Sequence, residues 1–109
     1  MISGTLLRIF VDEDDRFAGR PLHLAIVDEL RSAGFSGATV LKGIEGFGPT
    51  RRLRAARAID SAAGMPVLIE VIEDEDKIVA FLPKLETIVT SGLLTLETIH
   101  AMRVTGQAR

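Results

Sequence analysis

Two hydrophobic periods alternate along the chain. From Thr5 to Val11 the residues read Thr-Leu-Leu-Arg-Ile-Phe-Val, so that Leu7, Ile9 and Val11 share one side of an extended segment and Leu6, Arg8 and Phe10 share the other. Bounded by Gly4 and the acidic run Asp12-Glu13-Asp14-Asp15, this stretch predicts a first strand. After Gly19-Arg20-Pro21 the period becomes helical: Leu22, Ala25, Ile26, Leu30 and Ala33 fall on one face, with His23, Asp28, Glu29 and Arg31 largely outside it. Pro21 suits the first helical position and Gly34 is the natural left-handed stop. Ala38 to Ile44 reads as a second strand. Pro66 to Ile72 reads as a third, with Val67, Ile69 and Val71 opposed to Leu68, Glu70 and Ile72. Glu73-Asp74-Glu75-Asp76 supplies the acidic first turn that a helix dipole favours, and Ile78, Phe81, Leu82, Leu85, Ile88 and Val89 carry the apolar stripe toward Gly92. Pro83 within it removes one backbone hydrogen bond and predicts a kink. Leu93 or Leu94 to Val104 completes the pattern as a fourth strand, ahead of a polar tail from Thr105 to Arg109.

The order β-α-β-β-α-β is the ferredoxin-like arrangement. Right-handed crossovers and helices that are apolar on one side place both helices on a single face of a four-stranded antiparallel sheet, an α+β architecture. The opposite sheet face then carries Leu6, Phe10, Leu68 and Ile72 around Arg8 and Glu70, which are placed to pair across neighbouring strands. That much contiguous apolar surface predicts subunits packed through this face.

At 109 residues the chain is expected to form a single domain, 1–109, that gains from oligomerisation. Hydrophobic residues make up 47% of it, yet Trp, Tyr and Cys are absent, so the core is aliphatic with phenylalanine as its aromatic component. Without cysteine there is no disulfide framework, thiolate nucleophile or cysteine metal site, and a cytoplasmic location is expected. Net charge is −2, which gives no global attraction to nucleic acid, and the sheet lacks the aromatic platform of an RNA-reading sheet. No apolar run approaches the roughly 20 residues of a membrane span, and the start lacks the regions of a signal peptide. The acidic run at 12–15 reads as a solvated loop or an oxygen-ligand cation site, without the alternating spacing and turn glycine of a calcium loop. His23 reads as a surface histidine on the polar side of its helix. It and His100 lie on separate elements, so neither a metal site nor a catalytic constellation is expected, and the chain reads as a non-enzyme. Small ferredoxin-like phosphatases offer an enzymatic comparison, but their glycine-rich anion loop joins the first strand to the first helix, and here that connection is acidic.

Between the second and third strands, about 46–65, lies a connection far longer than the usual ~4–6 residues. Gly46-Phe47-Gly48 permits sharp turning or close backbone approach. Backbone amides beside Arg51 and Arg52 suit an anion, because guanidinium forks bind phosphate or carboxylate in bidentate fashion. Thr50 to Ala63 is rich in helix formers, with Leu53, Ala56, Ile59 and Ala63 on one face and arginines, including Arg54 and Arg57, around the rest. This segment reads as a partner-docking helix or as a solvated basic loop.

Several of these stretches together resemble the domain of unknown function 190 family of PII-like proteins: Gly19-Arg20-Pro21-Leu22; the run Gly37 to Gly48; Pro66-Val67-Leu68-Ile69-Glu70; and Lys77-Ile78, Phe81-Leu82-Pro83 and Gly92-Leu93. The resemblance covers nearly the whole chain. It implies a ferredoxin-like subunit assembled as a homotrimer, with a T-loop between the second and third strands. It also implies an adenine nucleotide or related anionic effector in inter-subunit clefts and a protein target, such as a transporter or enzyme, engaged through the loop. Gly46, Phe47 and Gly48 resemble the loop base that approaches phosphates in PII proteins, Arg51 or Arg52 takes the basic role, and Arg103 resembles the basic end of the last strand. The chain departs from PII proteins before its last strand, where Ser91-Gly92-Leu93 replaces a glycine-rich loop, and in having no loop tyrosine.

Overall fold

The computed structural model describes residues 2–48, 54–55 and 64–106, with the backbone alone at Ile2, Arg54 and Ala55. β1 (Ile2–Asp12) is the longest strand and lies second from one edge of a four-stranded sheet. On one side it pairs antiparallel with β3 (Pro66–Glu73), on the other with β4 (Leu93–Ala101), and β2 (Thr39–Lys42) adds to the far side of β3. The sheet order β2-β3-β1-β4 and the two helices, α1 (Leu22–Ser32) and α2 (Glu75–Ile88), give the expected α+β ferredoxin-like topology. Alternation decides the faces: Leu7, Ile9, Val67, Ile69 and Val71 are buried against Leu22, Ile26 and Leu30 of α1 and Ile78, Phe81 and Leu85 of α2. Among the described residues no helix is long and apolar enough to cross a membrane.

Several boundaries differ from expectation for identifiable reasons. Pro21 sits at the N-cap of α1, with φ −55° and ψ 131°, not inside the first turn. Its extended backbone belongs to a small hairpin in which Arg16 pairs with Pro21 and Phe17 with Arg20. The linking residues Ala18 (φ 52°) and Gly19 (φ 80°) are both left-handed, the requirement of a two-residue type I′ turn. The far end of α1 behaves as its sequence indicates. Gly34 adopts φ 83°, its amide donates to the Arg31 carbonyl and the Phe35 amide to the Leu30 carbonyl, which is a complete Schellman closure. Lys77 then donates to the Gly34 carbonyl at 2.6 Å and lies 5.3 Å from the centre of the Phe35 ring, which packs edge-on against Phe81.

β2 is shorter than the predicted 38–44, because the Gly43 amide already turns to the Pro66 carbonyl. α2 stops at Ile88, where Val89 turns extended, and does not reach Gly92. Its proline at 83 is exposed and the helix continues through it. β4 ends at Ala101, short of Val104, since Ala101 faces Ile2 and the pairing of β1 stops there. Within the stretch read as helix-forming, Arg54–Ala55 instead forms a two-residue ladder with Glu45–Gly46.

Among the described residues no helix covers the outer sheet face. Leu6, Phe10, Leu41, Leu68, Ile72 and Leu93 fall on it by register, with Phe10 39% and Leu93 59% exposed. In its midst Arg8 bonds Glu70 at 3.0 Å and reaches Glu97 at 3.6 Å.

Candidate functional site at the roots of the long connection

The two ends of the connection between β2 and β3 meet at one end of the sheet, and the acidic turn after β1 holds them. Glu13 Oε2 lies 2.9 Å from Lys42 Nζ at the end of β2, while Oε1 accepts the Met65 amide at 3.2 Å just before β3. The Glu13 amide in turn donates to the Met65 carbonyl at 2.9 Å. Asp14 Oδ2 accepts the Gly64 amide at 2.6 Å. The turn is internally braced: the Asp14 amide donates to Asp12 Oδ1, and the Asp12 amide to Asp15 Oδ2. The acidic run is therefore not merely solvated, since Glu13 and Asp14 bond the roots of the connection; among the described residues no three His, Cys, Asp or Glu side chains cluster for a metal.

Electrostatics follow from this wiring. The hydrogen bond from Lys42 holds the Glu13 carboxyl below its ordinary value, helped by the Met65 amide and opposed by partial burial. Two glycines make the close approach possible. A Cβ on Gly64 would stand 2.6 Å from Asp14 Oδ1 and 2.7 Å from the Asp14 amide nitrogen, and one on Gly46 would stand 3.1 Å from the Pro66 ring. Gly48 has open space where a side chain would project. Phe47 is 62% exposed at the departure of the connection.

Of the residues singled out from sequence, Gly46, Phe47 and Gly48 sit together at this root, and the ladder sets the backbone of Arg54 opposite Gly46. Arg51, Arg52 and Arg57 lie outside the described residues. Arg103 is elsewhere. It follows the end of β4, beside an open groove of about 460 Å³ that Gly4, Leu6, Thr39, Glu70 and Ile72 also line. Lys42 faces Val67 near Val11, whereas Ala101 faces Ile2, so nine residue steps of β1 at ~3.3 Å separate the two regions by roughly 30 Å. By register, the strand end that leads to Arg103 and the strand end that leads to the loop root lie at opposite ends of the sheet.

The roles of Lys42, Glu13 and Asp14 escape a reading of the sequence because a run of carboxylates does not reveal which amides it will accept. Thr39 and Glu70 are detectable only as a cross-strand pair on the outer face. His23 also differs from the surface histidine expected: it is partly buried in the first turn of α1, and its Nδ1 has no hydrogen-bond partner among the described residues.

Residues 4–101 match the model of the domain of unknown function 190 family, described as an uncharacterized ACR. A UPF0166 protein of Aquifex aeolicus is 33% identical over 102 residues, covering 94% of this chain and 96% of that protein. A second, from Methanocaldococcus jannaschii, is 36% identical over 104 residues, covering 94% and 95%. Among solved structures, a PII-like signaling protein from Thermus thermophilus superimposes with TM-score 0.66 at 20% identity, covering 90% of this chain and 88% of that one. CPII from Thiomonas intermedia, a nitrogen regulatory PII-like protein bound to ADP, AMP and bicarbonate, superimposes with TM-score 0.60 at 18% identity, covering 94% and 91%. At such identities the structures speak for the fold, and the sequence match speaks for descent: the chain belongs to the domain of unknown function 190 family and is built on the PII-like fold.

Proposed function

We propose that this protein is a non-catalytic, cytoplasmic PII-like regulator: one domain, 1–109, assembled as a homotrimer that binds an anionic small effector between subunits and signals to a protein target through its T-loop, about 46–65. The effector class is an adenine nucleotide, in line with the ADP and AMP bound by the Thiomonas protein. Gly46, Phe47 and Gly48 with Arg51 and Arg52 would form one side of the cleft, and Arg103 of a neighbouring subunit the other. Arg54 and Arg57 would face the target. The observation that carries this reading is the anchored loop root, Lys42 and Gly64 to Met65, at the end of the sheet opposite Ala101, the strand end that leads to Arg103. That placement at opposite ends of the sheet supports a site shared between two subunits. The apolar outer face supplies the surface through which subunits would meet.

Isothermal titration calorimetry with a panel of adenine nucleotides tests the proposal on wild type and on the Arg51→Ala/Arg52→Ala double variant. Binding by wild type that the double variant loses supports it. No binding by any nucleotide, or equal binding by both proteins, counts against it. A structural or adaptor trimer without effector is the competing reading, favoured by the exposed Ile44 and Phe47 at the loop root. It expects capture of a partner protein that nucleotides do not change.

A further inference from the structure

We infer that Glu13 is a latch joining the two roots of the long connection, and that Lys42 sets how firmly it holds. The carboxylate divides its oxygens between segments far apart in sequence: Oε2 to Lys42 at the end of β2, Oε1 to the Met65 amide at the start of β3. Neither root residue bonds the other through these atoms. Among the described residues Glu13 is the side chain that bonds both Lys42 and the Met65 amide. A carboxylate accepts an amide hydrogen bond about twice as strongly as a neutral acceptor does. The Lys42 ammonium fixes in place the carboxylate that accepts the Met65 amide.

The surroundings define what would be released. Asp12, Asp14 and Asp15 crowd Glu13 from its own turn, Lys42 faces it from β2 and His23 from the first turn of α1, while residues 64–67 bring no titratable side chain. Among the described residues Lys42 is the cation paired with the Glu13 carboxylate. Other ties at this end do not depend on Glu13's side chain: the Gly64 amide to Asp14 Oδ2, the Gly43 amide to the Pro66 carbonyl, and the Glu13 amide to the Met65 carbonyl. They retain the start of β3 in the sheet. Loss of the latch consequently loosens the Met65 amide alone, with Gly64 still held by Asp14 and the strand left in place. The device stands whether or not a small effector binds.

Amide hydrogen exchange followed by NMR on the full chain tests this, with Ile69 in the centre of β3 as an internal control. Lys42→Met should accelerate exchange at Met65 by about tenfold, the worth of about one hydrogen bond lost when the untethered carboxylate swings away, with Ile69 unchanged. Glu13→Gln, which keeps the shape and an acceptor oxygen, should do the same, and Lys42→Arg should restore the wild-type rate. Met65 exchange within twofold of wild type in Lys42→Met or in Glu13→Gln would overturn the latch. So would a parallel rise at Ile69, which would mean that the whole fold had loosened.

Discussion

Replacing Phe10 by Glu probes the uncovered sheet face directly. In a single chain Phe10 is 39% exposed, opposite Leu68 on β3 and Leu93 on β4. Taking a phenylalanine as roughly 200 Å² of surface, about 80 Å² remains open to water. Covering it in an assembly is worth ~2 kcal/mol per subunit at ~25 cal/mol per Å². Three copies in the proposed trimer sum to ~6 kcal/mol, which at about 1.4 kcal/mol per factor of ten is some four orders of magnitude in the dissociation constant. The introduced carboxylate adds a desolvation cost of several kcal/mol per subunit, since neither Leu68 nor Leu93 offers a counter-charge. Phe10→Ala removes the apolar contribution without adding charge and should weaken assembly less. Multi-angle light scattering at micromolar concentration reads the result: a trimer for wild type, monomers for Phe10→Glu, with circular dichroism confirming that the variant is folded. A trimer that survives Phe10→Glu at this concentration, or a wild type that elutes as a monomer, would refute the assignment of this face to subunit packing.

Other substitutions separate the remaining claims. Gly64→Ala should cost about 1–3 kcal/mol in a denaturant titration at unchanged m-value, because the new methyl meets the Asp14 backbone and the turn has to shift. Ile69→Ala, at a fully buried position between both helices, should cost about 2–5 kcal/mol by the same measurement. Asp74→Ala should cost well under the ~1 kcal/mol of a usual cap, since Asp74 occupies the N-cap of α2 without a side-chain hydrogen bond there. Because the folded-state pKa of Glu13 is depressed, its contribution to stability is present above the pKa of the unfolded chain and is lost as pH falls through the folded value. NMR titration should therefore find the Glu13 midpoint below that of a model glutamate, and Lys42→Met should move it upward.

The fold is legible in the sequence because its signals are local and redundant. Period-two alternation in β1 and β3 and the stripes of α1 and α2 each name their buried face, and the register then fixes the open face with Arg8 beside Glu70. Ends are harder to read. The hairpin at Arg16 to Pro21 depends on Ala18 accepting a left-handed backbone, which alanine's identity does not announce. Arg54 and Ala55 are good helix formers that pair as strand because Glu45 and Gly46 continue as an extended edge. The clamp at Glu13 and Asp14 is invisible for a different reason: its partners are backbone amides some fifty residues away, and amides leave no trace in side-chain chemistry. Arg103 and Gly46 can each be noted from the sequence, but only the sheet register shows that the strands before them finish, at Ala101 and Lys42, at opposite ends.

The Arg8 group on the outer face carries one guanidinium between two carboxylates, Glu70 and Glu97, and so a net charge of −1 in the middle of an apolar surface. Exposed to water this imbalance is nearly without consequence. Under a covering surface it is not, because a carboxylate left unmatched in a low-dielectric contact costs several kcal/mol. Any surface that seats here must bring a cation to that spot or leave a wet gap over it, and a purely greasy partner is turned away. The island of charge thus acts as a key for alignment: it weakens every placement of a partner but penalises the misaligned ones most.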